Sequence, residues 1–298
     1  MQEIIVPPEE SAKRLENFLK KNFPIGYVRK VFRRKAVRRN GVRGLPDDRV
    51  EPGDRITLFV PFEAQHRSTP ATRSRPGITN IFEDSELVIV NKPAGVAVHE
   101  AKGILKRDTL FGMLEAKYRT NGIKPRLVHR LDKDTSGVLL VAKSEALAER
   151  LENLFETGEV EKEYLCLVAG RLPQNQGRID FPLPGRDGTM VPGLTRFTVV
   201  KRFSETTLLR VAIETGRMHQ IRIHCAQLGY PVVLDAQHGD FTFNKKFRRE
   251  FGLRRQFLHA EKVSLNYHGK KMTWRAPLPR DLAETLKAVE ADFKSGRG

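Results

Sequence analysis

Only two cysteines, Cys166 and Cys225, and a single tryptophan, Trp274, occur in a chain of 298 residues. Neither cysteine sits in a C-x-x-C pair, which argues against a disulfide framework or a zinc ribbon. Both thiols are expected as small core residues of a protein in a reducing cytoplasm. Long apolar runs are also missing: stretches such as "VLLVA" fall far short of the ~20 residues that a membrane span requires. The start, "MQEIIVPPEESAKR", lacks the basic-then-apolar pattern of an export signal. No P-loop, dinucleotide fingerprint or zinc-ligand spacing occurs, so no cofactor and no metal are expected. Acidic residues are in deficit: 36 Asp and Glu against 53 Lys and Arg leave a net charge of +17. Such an excess favours a polyanionic partner, because each phosphate met by a cation releases condensed counterions. Nucleic acid is the expected partner, with no membrane association and a monomeric state.

What is present divides into two parts. With 39% hydrophobic residues the chain is globular, and its length suits one core-bearing domain plus a smaller one. "SAKRLENFLKKNF" places Leu15, Phe18 and Leu19 at helical spacing, with Ser11 as a candidate cap. "GYVRKVFRRKAV" reads as a second helix with Val28, Val31 and Phe32 inward, and Asn40-Gly41 as a turn between short strands. Arg29, Lys30, Arg33, Arg34, Lys35, Arg38, Arg39 and Arg43 form a basic run with no acidic residue among them. A charge run is usually a solvated face, but this one is dense and unbalanced, which favours RNA or DNA contact. Residues 63–78, "EAQHRSTPATRSRPGI", have no apolar periodicity and read as a linker between a module at 1–62 and a domain at 79–298.

The second domain alternates strand-like runs ("YLCLVAG", "TLLRVAIE", "KVSLNY") with helical ones ("EALAERLENLFETG", "MHQIRIHCAQLG"). This order predicts an α+β fold with a mixed, largely antiparallel sheet flanked by helices. Leu87–Val90 and Val96–Val98 read as strands joined across Pro93-Ala94-Gly95, and a final helix is expected near 281–293.

Reactive side chains crowd "RLVHRLDKDTSG", Arg126 to Gly137. Asp134, Thr135 and Ser136 belong to a turn signature and are expected to be structural, with Asp134 and Ser136 able to bond local backbone. Asp132 stands between Arg130 and Lys133; cationic neighbours favour a charged carboxylate, suited to a nucleophile or an electrostatic stabiliser. A helix from about Met218 would put Met218, Ile221, Cys225 and Leu228 on one face and His219 with Arg222 on another. His219 and His224 are too far apart around that helix to grip one zinc, and Arg222 beside an apolar face is expected to pair with a carboxylate. Tyr164 alone reads as a core or strand-edge tyrosine.

Three blocks in order, "HRLDKDTSG", "KEYLCLVAG" and "TGRMHQIRIH", resemble the signatures of the RluA-type pseudouridine synthases. "NKPAGVAVH" before them and "RQFLHAEKVSLNYHGKKMTWRAPLP" after them fit the same family, over roughly Thr79 to Pro279. "RLENFLKKNFP", "VRKVFRRKAVRRNG" and "RVEPGDRITL" resemble the S-four domain, a small RNA-binding module that often accompanies it. The resemblance implies isomerisation of uridine to pseudouridine in RNA without a cofactor, with Asp132 as the catalytic aspartate and Arg222 as its partner. It implies that Tyr164 lies against the target base and that Arg130 helps hold the nucleotide out of its stack. His129 shapes the substrate loop, and Arg217, His219 and Gln220 of the third block are expected at the substrate. One departure stands out: the family commonly reads "GDxxYG" where this chain reads "LDAQHG", with Leu234 and His238 replacing the glycine and tyrosine. The S-four-like module points to large-subunit (23S) ribosomal RNA, with transfer RNA as the alternative target. A non-catalytic ribosome-assembly factor is the competing reading from another class. A glycoside hydrolase using Asp132 is a third, but it lacks an evident acid partner and aromatic sugar platforms.

Overall fold

A computed structural model describes residues 2–8, 12–23, 28, 31–59, 78–100, 104–185 and 188–296. The chain divides into two compact units, Met1–Pro76 and Gly77–Gly298. The segment expected as a linker lies almost wholly outside the described residues, as do Ser11, Arg29 and Lys30.

In the first unit, strands Gln2–Ile5, Arg55–Leu58, Val37–Arg39 and Val42–Arg43 pair in that spatial order. The helix Leu15–Asn22 buries Leu15, Phe18 and Leu19 with Val28, Val31, Val37 and Ile56. Its start is held without a side-chain cap, Arg14 occupying the cap position. Asn40 and Gly41 both adopt positive φ, 49° and 83°, as a two-residue hairpin turn requires. Asp54 then ties this corner together, accepting from Asn40 Nδ2 at 2.6 Å and from Arg39 Nε at 2.6 Å.

The second unit is α+β. Eight strands of its ten-stranded sheet run in the spatial order Gln176–Ile179, Thr195–Arg202, Thr206–Ile213, Glu161–Ala169, Leu258–Tyr267, Ser136–Ala142, Leu87–Lys92, Thr79–Glu83. Every pairing along this path is antiparallel except one, where Ser136 and Gly137 run parallel to His259 and Ala260. Alternate residues of "LVIVNK" and "SGVLLVA" enter different cores: Val88, Val90, Leu139 and Val141 on one face, Leu87, Ile89, Val138 and Leu140 on the other. Both faces are covered, which explains why these central strands read as unbroken apolar runs.

The helix Glu145–Glu156 covers the second face with Leu147, Ala148 and Leu151, capped by Ser144. On the first face the helix Gln220–Gln227 buries Ile221 and Cys225. Helices Phe241–Phe251 and Arg280–Lys294 close a third core with Leu167, Phe203, Leu234 and Phe257. Cys166 and Cys225 are both buried free thiols.

Two expectations need correction. Val96–Val98 is not a strand; after the Pro93–Gly95 turn the chain is irregular, and Ala97 and Val98 serve as acceptors for the amides of Leu110 and Phe111. The helix expected from Met218 begins at Gln220, so Met218 lies outside it and is 53% exposed.

Candidate active site

Asp132 lies in the tight loop that leads into the Ser136–Ala142 strand, and that loop is held from several sides. Its own turn closes with Thr135 N–H donating to the Asp132 carbonyl at 3.1 Å. Lys92, fully buried at the end of its strand, donates from Nζ to the carbonyls of Pro93 (2.9 Å), Lys133 (2.9 Å) and Thr135 (2.8 Å). These three acceptors match the three donors of an ammonium, while burial pushes Lys92 down to about 7. Gln256 Nε2 donates to Thr135 Oγ1 at 2.8 Å, and Ser136 Oγ meets His259 Nδ1 at 3.0 Å. Gly137 makes the close approach possible: at φ 124° a Cβ would stand 2.1 Å from the Ala260 carbonyl oxygen. Thr135 and Ser136 thus help to build the platform on which Asp132 stands, through the side chains of Gln256 and His259 rather than through local backbone.

Lys92→Met should leave three carbonyls without their donor and destabilise the second unit by about 3 kcal/mol. At this size that corresponds to a fall in Tm of roughly 6–12 °C, read by calorimetry. An unchanged Tm would mean that the cage is not what holds the loop.

Across from the loop, the segment before the helix Gln220–Gln227 is set by Gln220. Its Oε1 accepts from Thr215 Oγ1 (2.7 Å) and Arg217 N–H (3.1 Å), and its Nε2 donates to the Leu194 carbonyl (2.9 Å) and Thr195 Oγ1 (3.1 Å). His219 takes the left-handed conformation at φ 54°, which turns the chain into the helix one residue later. His224, on the same helix, is occupied elsewhere, at 2.8 Å from Thr195 Oγ1 and 2.9 Å from the Phe181 carbonyl.

Arg222 is the centre of the site. Its NH1 donates to Asp132 Oδ2 at 2.9 Å. Its other side forks onto Asp235, Nε to Oδ2 at 2.6 Å and NH2 to Oδ1 at 2.8 Å. Asp235 also accepts from the backbone amides of Gln237 (2.8 Å) and His238 (3.0 Å). Burial alone would raise the Asp235 carboxyl, but Arg222 and those two amides hold it below its ordinary range. Burial likewise works against the Arg222 charge, and the two aspartates overcome it. Side-chain exposure falls along the row, from 20% at Asp132 through 8% at Arg222 to 0% at Asp235. Asp132 is thus the solvent-facing end of a buried ion-paired row.

Other candidates gather around it. Asp132, Tyr164, Arg222, His129, Arg130, Arg217, His219 and Gln220 all line one pocket of about 530 Å³. Tyr164 sits where the Glu161–Ala169 strand shifts register against Leu258–Tyr267, a bulge of the kind that re-aims a side chain. Burial, with Asp132 adding to it, pushes the Tyr164 phenol up, so it meets a ligand as a neutral O–H. His129 stacks on Phe155 at 4.7 Å and accepts the Leu140 N–H at Nε2; burial and Lys162 push it down to about 3, so it is neutral. His219 Nε2 lies 3.8 Å from Asp132 Oδ1, and its Nδ1 is 3.2 Å from His238 Nε2. Burial lowers His219, with Arg222 and His238 adding to the effect and Asp132 opposing it. Arg130 is exposed at the pocket rim, whereas the amide of Gln220 is engaged by the protein itself.

Asp235 and Lys92 carry no local sequence signal that marks them as part of the site. Asp235 lies within "LDAQHG", between the two residues that drew notice there. Leu234 stands at φ 60°, backbone that favours glycine, which accounts for the glycine common at that position. Here the side chain is buried in a core with Phe247 and Phe257, and its amide donates to Asn244 Oδ1 at 2.7 Å. Of the basic run in the first unit, Arg33, Arg34, Lys35, Arg38 and Arg43 are exposed, while Arg39 is engaged by Asp54.

Comparison with known proteins places this arrangement. Residues 86–227 match the family described as RNA pseudouridylate synthase. The chain is 32% identical to the ribosomal large subunit pseudouridine synthase C of Vibrio cholerae, over 96% of each chain. It is 31% identical to the protein of the same name from Escherichia coli, over 99% of this chain and 97% of that one. Among solved structures, Human RNA Pseudouridylate Synthase Domain Containing 4 shares the fold with a TM-score of 0.61 at 24% identity, covering 72% of this chain and 93% of that one. Similarity across nearly the whole length, with the Asp132 loop, Tyr164 and Arg222 all inside the matched segment, makes this chain a member of the RluA-type family of RNA pseudouridine synthases.

Proposed function

We propose that the chain converts uridine to pseudouridine in large-subunit ribosomal RNA, with Asp132 acting at the glycosidic bond. The observation that carries this reading is the Asp132 carboxylate, accessible in a nucleoside-sized pocket and oriented by Arg222 at 2.9 Å. The reaction breaks C1′–N1, turns the freed uracil, joins C1′ to C5 and releases the C5 proton. No redox change is involved. An ionised carboxylate serves either by bonding to C1′ or by taking a sugar proton on the way to a glycal. Tyr164, neutral and at the pocket wall, packs its ring against the base while the uracil is detached.

Access to C1′ requires the nucleotide to leave its stack, which typically costs a few kcal/mol. In this reading Arg130, Arg217 and His219, which line the same pocket, offset that cost by contacts to the extruded nucleotide. The first unit adds RNA affinity through Arg33, Arg34, Lys35, Arg38 and Arg43, in keeping with an S-four-like module. The ribosomal target follows the two bacterial relatives, both named for the large ribosomal subunit. No helix among the described residues is long and apolar enough to cross a membrane.

The test is tritium release from uridine C5, with no added cofactor, comparing large-subunit ribosomal RNA with transfer RNA. Release from the ribosomal substrate is expected. Without residues 1–62 the enzyme should keep turnover at saturation but bind RNA more weakly, with a shallower dependence of log affinity on log salt. Preferred release from transfer RNA would refute the ribosomal target, and an unchanged salt slope would refute the role of the first unit.

A further inference from the structure

One strongly basic surface of the second unit has no part in the site just described. The helix Phe241–Phe251 presents Phe241, Lys245, Arg248 and Arg249 at spacings of four, three and one, which is a single stripe along one face. All four are exposed, Phe241 at 66% despite being a large aromatic ring. They line a groove of about 350 Å³ whose remaining wall is Leu234, Ala236 and Asn244. Lys245 and Arg248 form no salt bridge among the described residues; Arg249 reaches only the neighbouring Glu250, at 3.5 Å on the surface. A stripe of cations beside an exposed aromatic ring, with little acidic pairing, matches one kind of ligand well: phosphates along the stripe and a base on the ring.

The groove is also linked to the catalytic row by hydrogen bonds. Asn244, buried at its floor, accepts the Leu234 N–H at 2.7 Å and donates to the Asp235 carbonyl at 3.0 Å. Asp235 in turn grips Arg222, which orients Asp132. The groove thus backs onto the loop whose Asp235 holds Arg222.

We propose that this stripe is a binding surface for a single-stranded segment of the substrate RNA flanking the target uridine, with phosphates on Lys245, Arg248 and Arg249 and a base stacked on Phe241. The proposal rests on an RNA substrate and assigns it a second contact surface, on the catalytic unit itself.

The test uses the full chain and protein-free large-subunit ribosomal RNA, tritiated at uridine C5. One variant carries Lys245→Gln, Arg248→Gln and Arg249→Gln together; another carries Phe241→Ala. These side chains are exposed, so folding should be little disturbed, which circular dichroism and Tm verify. The triple variant should lower the slope of log affinity against log salt by about two, at roughly 0.7 for each phosphate no longer neutralised. Its KM should rise at least tenfold while kcat stays near that of the parent. Phe241→Ala should raise KM roughly tenfold and leave the salt slope unchanged, because stacking is not a counterion effect. Unchanged KM and slope in the triple variant would overturn the proposal. So would a defect seen only with assembled particles, which would put a protein on this face. The binding arm is read without turnover, so a parent that releases no tritium would sink the pseudouridine reading while leaving this one to its own measurement.

Discussion

Asp132→Asn is expected to abolish tritium release from uridine C5, with kcat reduced by at least about 10⁴-fold, the scale seen when a group acting directly on the reacting atoms is removed. The geometry explains why so little else should change. The amide oxygen of asparagine still offers Arg222 NH1 an acceptor where Asp132 Oδ2 stood at 2.9 Å, and Arg222 keeps its fork on Asp235. The buried arginine therefore stays neutralised, and Tm should move by only a degree or two, in line with a partly exposed position. RNA affinity should be retained, since removing one negative charge from a chain of net charge +17 subtracts no attraction for phosphate. Turnover, Tm and filter binding, measured on parent and variant side by side, separate the three effects. A variant with near-parental release would remove Asp132 from the chemistry; one that failed to fold would show that the row depends on the charge at its solvent end.

Asp132 and Arg222 were legible because their blocks are local in sequence. Nine consecutive residues encode the loop, and "HQIR" encodes the helix start. The central strands were legible for a similar reason: "VLLVA" and "YLCLVAG" are too apolar to lie anywhere but between two covered faces. Asp235 was not, because nothing near it in the chain announces a partner for Arg222; the fold brings the two together only when the loop before the helix Phe241–Phe251 packs behind Gln220–Gln227. Lys92 was hidden by its residue type, since a lysine after "VIVN" reads as the exposed end of a strand. Only the turn that follows brings three carbonyls round its Nζ. Met218 continues the apolar spacing, so spacing alone starts the helix two residues before its observed start at Gln220. Backbone geometry decided the matter, with His219 at positive φ and the Gln220 side chain fastening the residues before it.

Asp235→Asn should be the more revealing substitution, because it leaves Asp132 in place and changes what holds it. Two carboxylates share one guanidinium in the parent, and Asp132 is the accessible one of the two while Asp235 is fully buried. Replacing the buried Asp235 by a neutral amide breaks the bidentate pair and leaves Asp132 as the sole counter-charge of Arg222. The guanidinium then swings toward Asp132, drawing on the electron density that the reaction at the sugar requires. Breaking a buried pair in this way costs about 3 kcal/mol at the low end, or roughly 6–12 °C in Tm for a domain of this size. The kcat should fall about 10²-fold with KM nearly constant, since Asp235 touches no substrate and acts only through Arg222. A double-mutant cycle tests that route: Arg222→Gln with Asp235→Asn should have the kcat of Arg222→Gln alone, because a positioning residue has nothing left to position. Independent, multiplying losses would mean that Asp235 reaches the reaction by some other path, and an unchanged kcat in the single variant would mean that Arg222 needs no second carboxylate to orient Asp132.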